Sequence, residues 1–310
     1  MAITVVGNVF VDIKGFPDDN YIPGGRNAGH VEHVHGGVGR NVAEDIANVE
    51  LRPRFVSMVD DTAEGAEVLK KLNNHKVNTE YVLSVPDGMG LWLAVFDETG
   101  DIVGSISKRP DMTALAKLVE EKGDEIFADC DSIVLEIDLD KEIIKSVFKY
   151  AEKYNKRVYA VVANMSIATQ RRDFLQSIDC FVCNAEEAGI LFVCDMSGLS
   201  PEALCEELSK RVMNARIPSM VVTLGSRGAV YADMHGDKGV YPAQRVNVRD
   251  TTGAGDAFCA GVAMGLTYGK TMREAVEIGT RLAASVITVS ENVCPRFLPR
   301  ELGLDIDVTD

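Results

Sequence analysis

The stretch Asp250-Thr251-Thr252-Gly253-Ala254-Gly255-Asp256-Ala257-Phe258 decides how the rest of the chain is read. Two glycines and an alanine let backbone amides approach an anion closely. The small, apolar run Ala257 to Leu266 follows, so the stretch is expected to end at a helix N-terminus. Such a terminus directs unpaired N–H groups and the positive end of a dipole at its ligand. Asp256 adds a carboxylate in the same first turn, and a site that attracts anions needs that charge only if it takes up protons. The combination reads as a phosphate cradle with a general base built in. Taken alone it reads equally as a capped helix, because Asp favours helix starts, Gly favours turns, and short glycine motifs are weak signals.

Working outward, the 310 residues are 46% hydrophobic and 25% charged, enough for one large α/β domain or two smaller ones. A formal net charge of −15 leaves no basic face for a nucleic acid, yet does not oppose a small phosphorylated ligand. The start, MAITVVGNVFVDIKG, lacks a basic region, and its apolar run is broken by Gly7, Asn8 and Asp12. It reads as a first strand rather than a signal peptide. No stretch approaches the roughly 18 apolar residues that span a bilayer. The expectation is a cytoplasmic protein with no membrane partner.

Seven cysteines at scattered positions read as reduced structural thiols. Cys180-Phe181-Val182-Cys183 satisfies a CxxC pattern but lies in an apolar, strand-like run without a second pair. His33 and His35 share one face of an expected strand, with His30 and Glu32 nearby. Without a further partner cluster, a solvated or substrate-facing strand accounts for them better than a metal does.

Apolar strand candidates are Ile3–Val6, Phe55–Val59, Ser132–Ile137, Arg157–Ala163, Cys180–Cys183 and Met220–Thr223. Helical spacing recurs over Ala63–Leu72, Lys141–Tyr154 and Pro201–Asn214, the last opened by Ser200-Pro201. This alternation implies a mainly parallel sheet covered on both faces, binding ligands at the carboxyl ends of its strands. Gly228–Tyr231 and Gly239–Tyr241 read as a hairpin, followed by helices over Ala254–Thr267 and Thr271–Ser290. Two segments stand outside the core: the polar residues 14–33, and a second hairpin over 91–107. Together they suggest a small β-sheet lid, which would exclude water during phosphoryl transfer. The division is therefore one domain, with core 1–13, 34–90 and 108–310 and a discontinuous lid.

Gly265–Thr271 resembles a P-loop but is one residue short and follows a helix, and Gly36-Gly37-Val38-Gly39 lacks dinucleotide-fingerprint spacing. The glycines at 36 and 37 instead precede a helix with apolar Val38, Val42, Ile46 and Val49, bringing main chain against a ligand. Asn41 can donate to and accept from a hydroxyl. Asp12, just past the first strand, suits a polyol, although a turn residue explains it equally. Asn184 and Glu187 lie three apart after the Cys180–Cys183 strand and suit the water shell of Mg²⁺. Thr223-Leu224-Gly225-Ser226-Arg227-Gly228 leaves the next strand with glycines and hydroxyls suited to a nucleotide's phosphates.

GGVGRNVAEDIA at 36–47 and DTTGAGDAFCAG at 250–261 resemble the paired signatures of the ribokinase-like (PfkB) kinases, with NAEE and TLGSRG between them in the family's order. The resemblance covers essentially the whole chain. It implies a three-layer α/β/α core with a β lid, and ATP-dependent phosphorylation of a sugar or nucleoside. On it, Asp256 is the expected base and Gly253, Ala254 and Gly255 the anion hole. Asp12, Gly36, Gly37 and Asn41 would bind substrate, and Asn184, Thr223, Gly225 and Gly228 the nucleotide. Asn184 and Glu187 would serve Mg²⁺, while Asp250 and Thr252 match the place where some members bind a monovalent cation such as K⁺. Asp12-Ile13-Lys14-Gly15, the GGVGRN form and Asp111-Met112 look most like the pseudouridine kinase branch. Asn164-Met165-Ser166 and the surroundings of Asn184 lack the family's usual prolines, so ribose and fructose remain open as substrates. A non-catalytic sensor on the same fold is the remote alternative, and an exposed lid edge would allow a homodimer.

Overall fold

The computed structural model describes residues 1–196 and 198–304. In chain order the elements are β1 (Ile3–Val6), β2 (Phe10–Pro17), β3 (Gly29–Gly36), α1 (Val38–Asn48), β4 (Arg54–Asp60), α2 (Ala63–Asn74), β5 (Asn78–Val85), β6 (Gly90–Phe96) and β7 (Ile102–Lys108). Then come α3 (Thr113–Phe127), β8 (Ser132–Glu136), α4 (Lys141–Lys153), β9 (Arg157–Val161), α5 (Met165–Ala168), β10 (Cys180–Asn184), α6 (Ala185–Phe192) and α7 (Pro201–Ala215). The chain continues through β11 (Ser219–Thr223), β12 (Ala229–Asp233), β13 (Lys238–Tyr241), α8 (Ala254–Thr267) and α9 (Met272–Val286).

Nine strands form one sheet in the order β13-β12-β11-β10-β9-β8-β1-β4-β5. Neighbours from β11 through β5 run parallel, and the β12–β13 hairpin closes one edge antiparallel. Strand alternation sends successive side chains to opposite faces. Val6, Ile133, Leu135 and Phe181 pack with α3, α4 and α7, while Val5, Val134, Tyr159 and Val182 pack with α1, α2, α8 and α9. That is a three-layer α/β/α core. α8 and α9 approach closely because a Cβ on Gly261 would lie 2.6 Å from the Gly279 Cα.

The smaller sheet has the order β3-β2-β6-β7, with β2 and β6 parallel and the other pairs antiparallel. It takes more of the chain than residues 14–33 and 91–107. β2 begins at Phe10, β3 runs to Gly36 and β6 begins at Gly90. Asp12 therefore does not sit at the carboxyl end of a core strand but within β2 of the small sheet. Polarity misled the reading at β3, whose residues 29–33 are all exposed. Other boundaries move modestly. β9 ends at Val161, β8 at Glu136 and α4 at Lys153, while α9 begins after its cap Thr271 and ends at Val286.

Candidate active site

Parallel register brings the ends of β8, β9, β10 and β11 to one edge of the large sheet, pairing Glu136 with Val161 and Asn184 with Thr223. The N-termini of α1 and α8 meet at this edge. Gly253 caps α8 with φ 81°, a left-handed conformation that favours glycine, and a Cβ there would fall 1.9 Å from the Asn292 carbonyl. Gly255, two residues on, faces open space within 4 Å of its would-be Cβ. The amides of this first turn are thus held against the protein at Gly253 and left clear at Gly255, as an anion cradle requires.

Asp256 occupies that turn, half-buried. Asn41 Nδ2 donates to its Oδ2 at 2.6 Å. Burial pushes the Asp256 carboxyl up to about 7, offset in part by the Asn41 bond and the Arg40 guanidinium and reinforced by the charges of Asp12 and Glu187. The surrounding mass of protein, rather than complete loss of solvent contact, sets this shift. Asn41 itself is buried, and its Oδ1 has no partner. A donor hydroxyl would complete it.

The glycines before α1 act by close approach. Gly37 has φ 97°, and a Cβ there would meet the backbone of Asn8 and Phe10 at under 3 Å. A Cβ on Gly36 would strike the carboxylate of Asp12 at 2.5 Å. Asp12 thus lies against the glycine turn although it belongs to the small sheet, and burial raises its carboxyl against the charges of Lys14 and Arg40.

Two residues that the sequence did not single out organise this corner. Glu136, buried at the end of β8, accepts from the Asn8 amide (2.8 Å), the Asn8 side chain (3.0 Å) and the Gly39 amide (3.2 Å). It therefore takes one of the helix-start amides that were expected to face a ligand. Burial, and next the charge of Asp138, raise its carboxyl. The sequence signal was present, a Glu closing an otherwise apolar strand, but a strand-end charge more often faces solvent. Arg40, only 1% exposed, spans Glu44, the Gly36 and His35 carbonyls and Asn292, tying α1 to the segment beside Gly253.

On the other side, Asn184 and Glu187 cap α6 reciprocally: Asn184 N donates to Glu187 Oε2 at 2.8 Å and Glu187 N to Asn184 Oδ1 at 2.9 Å. The pair is thus first a helix start. Burial raises the Glu187 carboxyl, and Asp138 adds to it. Among the described residues no group of three His, Cys, Asp or Glu is arranged to hold a bare metal ion. The residues fit a hydrated ion reached through water. Thr223 ends β11, and Gly225 and Gly228 take φ 58° and 95° in the turn that follows. Gly225 opens to space, whereas Gly228 packs on the backbone of Tyr241. Thr252 donates from N and Oγ1 to Asp250 Oδ1, both at 2.9 Å. A groove of about 550 Å³ opens one turn further along α1, beside Glu44, Asn48, Lys71 and His75, and does not include Asp256. The His30–His35 set lies along β3, and all seven cysteines are free thiols.

A shifted carboxylate beside a helix start with open amides suits phosphoryl transfer to an alcohol. The chain belongs to the pfkB family of carbohydrate kinases, which it matches over residues 2–293. It is 35% identical over 295 residues to the guanosine-inosine kinase of Exiguobacterium acetylicum, covering 94% of this chain and 95% of that one. Against the pseudouridine kinase of Escherichia coli the identity is 24%, covering 88% and 86%. In fold, it resembles the structure of Arabidopsis thaliana ribokinase complexed with ribose and ATP, at TM-score 0.80 and 21% identity over 99% of this chain and 100% of that one. The protein is a sugar or nucleoside kinase, a phosphotransferase with an alcohol acceptor. No helix among the described residues is long and apolar enough to cross a membrane.

Proposed function

We propose that this kinase phosphorylates the primary hydroxyl of a ribonucleoside, with a purine nucleoside of the guanosine and inosine kind as the leading substrate and pseudouridine the next. The observation that carries the reading is the Asn41–Asp256 pair, with one unpartnered amide oxygen and one raised carboxyl facing a glycine-lined helix start. The substrate hydroxyl gives its proton to Asp256 while its oxygen bonds to the γ-phosphorus of ATP. The bond to the β-phosphate oxygen breaks and ADP leaves. Amides of residues 253 to 256 offset charge on the transferred group. Asp12, Gly36, Gly37 and Asn41 hold the sugar, and Thr223, Gly225, Gly228 and Asn184 the nucleotide. Mg²⁺ arrives with ATP and would supply further charge neutralisation, held through water by Glu187 and Asn184.

Two features support a nucleoside over a free sugar. Similarity to the guanosine-inosine kinase exceeds that to the pseudouridine kinase, 35% against 24% identity. Also, β2 alternation places Asp12, Lys14 and Phe16 on one face, and Phe16 stacks on Phe96 at 4.6 Å and His30 at 5.2 Å. That aromatic surface suits a base better than a hexose. The small sheet then acts as a lid over the site, with domain limits set by its strands. Exposed Ile102, Val103 and Ile106 along its edge strand β7 favour a homodimer through the lid. An ATP-dependent reaction of this kind belongs in the cytoplasm. A K⁺ at Asp250 and Thr252 fits less well, because Thr252 takes Asp250 Oδ1 and Lys14 already brings positive charge to that pair. A panel of guanosine, inosine, pseudouridine, adenosine, ribose and fructose, read by coupled ADP release, tests the proposal. Preference for a free sugar by tenfold or more in kcat/KM contradicts it.

A further inference from the structure

Lys14 stands in the middle of β2, only 7% exposed, with no carboxylate within 4 Å of its ammonium among the ion pairs of the described residues. Its Nζ lies 3.5 Å from Thr252 Oγ1, long for a hydrogen bond. Thr252 immediately precedes Gly253, which caps the amide cradle of α8. A buried cation is costly unless paired, and the protein tolerates this one at the mouth of a site already shaped for an anion. Lys14 and Thr252 are 238 residues apart and belong to different sheets' neighbourhoods, so the contact joins the small sheet to the start of α8.

We propose that Lys14 is a catalytic cation that engages the γ-phosphate during transfer, delivered by the small sheet. Resting on the kinase reading above, this gives the sheet a chemical task beyond excluding water. Negative charge spreads over the phosphoryl oxygens as the bond to the β-phosphate oxygen breaks and the bond to the substrate oxygen forms. The ammonium moves from the Thr252 hydroxyl to those oxygens, gives up no proton, and returns when ADP leaves. Because ADP lacks the γ-group, the contact also favours a closed sheet over ATP and releases it over product.

The test compares the parent with Lys14→Met and Lys14→Arg. Calorimetric binding of the non-hydrolysed analogue AMP-PNP and of ADP is measured with Mg²⁺, alongside kcat, nucleoside KM and thermal midpoint. Lys14→Met is expected to weaken AMP-PNP roughly tenfold more than ADP, and to lower kcat about 10²-fold with nucleoside KM within threefold. Its thermal midpoint is expected to hold or rise, since an unpaired buried charge is gone, and Lys14→Arg should recover part of the turnover. Equal loss of AMP-PNP and ADP affinity, or unchanged kcat in Lys14→Met, overturns the proposal. So does a fall in midpoint that accounts for the lost activity. If the parent turns over no alcohol, the kinase reading fails on its own, and the AMP-PNP/ADP ratio still decides the role of Lys14.

Discussion

Asn41 and Asp256 stand 215 residues apart in sequence and 2.6 Å apart in the folded protein. One comes from the first turn of α1 and the other from the first turn of α8, so two helix N-termini converge on one carboxylate. The amide donates one hydrogen bond to Asp256 and leaves its own oxygen unpartnered.

Because the Asn41 bond lowers a carboxyl that burial has pushed up to about 7, removing the donor drives the carboxyl higher. A base works only when deprotonated, so parent kcat rises with pH and levels off above about 7. In Asn41→Ala the midpoint of that acid limb moves up by about one pH unit. Nucleoside KM rises by about tenfold or more as a hydroxyl partner is lost. A pH–rate series of both proteins checks this, and an unmoved limb contradicts it.

The same shift has a signature in stability. Asp256 holds its proton in the folded state up to about 7 but in an unfolded chain only to near its ordinary 3.8. The folded state thus binds more protons across that window, and this residue's contribution to stability is lost as pH rises through it. Asp256→Asn removes the contribution. Denaturant titrations between pH 5 and pH 8 should show the variant gaining relative to the parent as pH rises.

Glu136 gathers three donors from two chain segments. Glu136→Ala leaves all three unpaired in a buried place, a loss of roughly 3 kcal/mol. Glu136→Gln keeps one acceptor oxygen and should lose less. Both variants free the start of α1, so nucleoside KM rises more than ATP KM. Equal rises would place the damage elsewhere.

Gly253 and Gly255 should respond differently to alanine. At Gly253 the new Cβ falls 1.9 Å from the Asn292 carbonyl on a left-handed backbone, so Gly253→Ala is expected to lower the thermal midpoint sharply. At Gly255 the space is open, so Gly255→Ala should fold normally while its methyl intrudes where phosphate binds. ATP KM then rises without loss of stability. Thermal melts paired with ATP titrations separate the two.

How far the sequence carried differs by kind of signal. Layering and the ordering of the parallel strands followed from apolar runs too regular to mistake, and the two glycine motifs marked the helix starts. The strand Asn78–Val85 escaped because its outer-edge position leaves it half polar, with exposed Asn78, Glu80 and Ser84. β3 escaped for the same reason. The duty of Glu136 was not legible because its three donors come from residues about a hundred or more positions away. Asn184 and Glu187 carried a plainer message than Mg²⁺: an amide and a carboxylate at this spacing cap a helix reciprocally.

The most direct measurement is nucleoside-dependent ADP release by the parent and by Asp256→Asn, with MgATP affinity measured on both. Asn keeps the size and hydrogen bonding of the side chain but cannot take the hydroxyl proton. The expected result is guanosine- or inosine-dependent turnover in the parent, a fall of roughly 10² or more in the variant, and MgATP affinity within a fewfold. Near-parental turnover in Asp256→Asn would contradict the account.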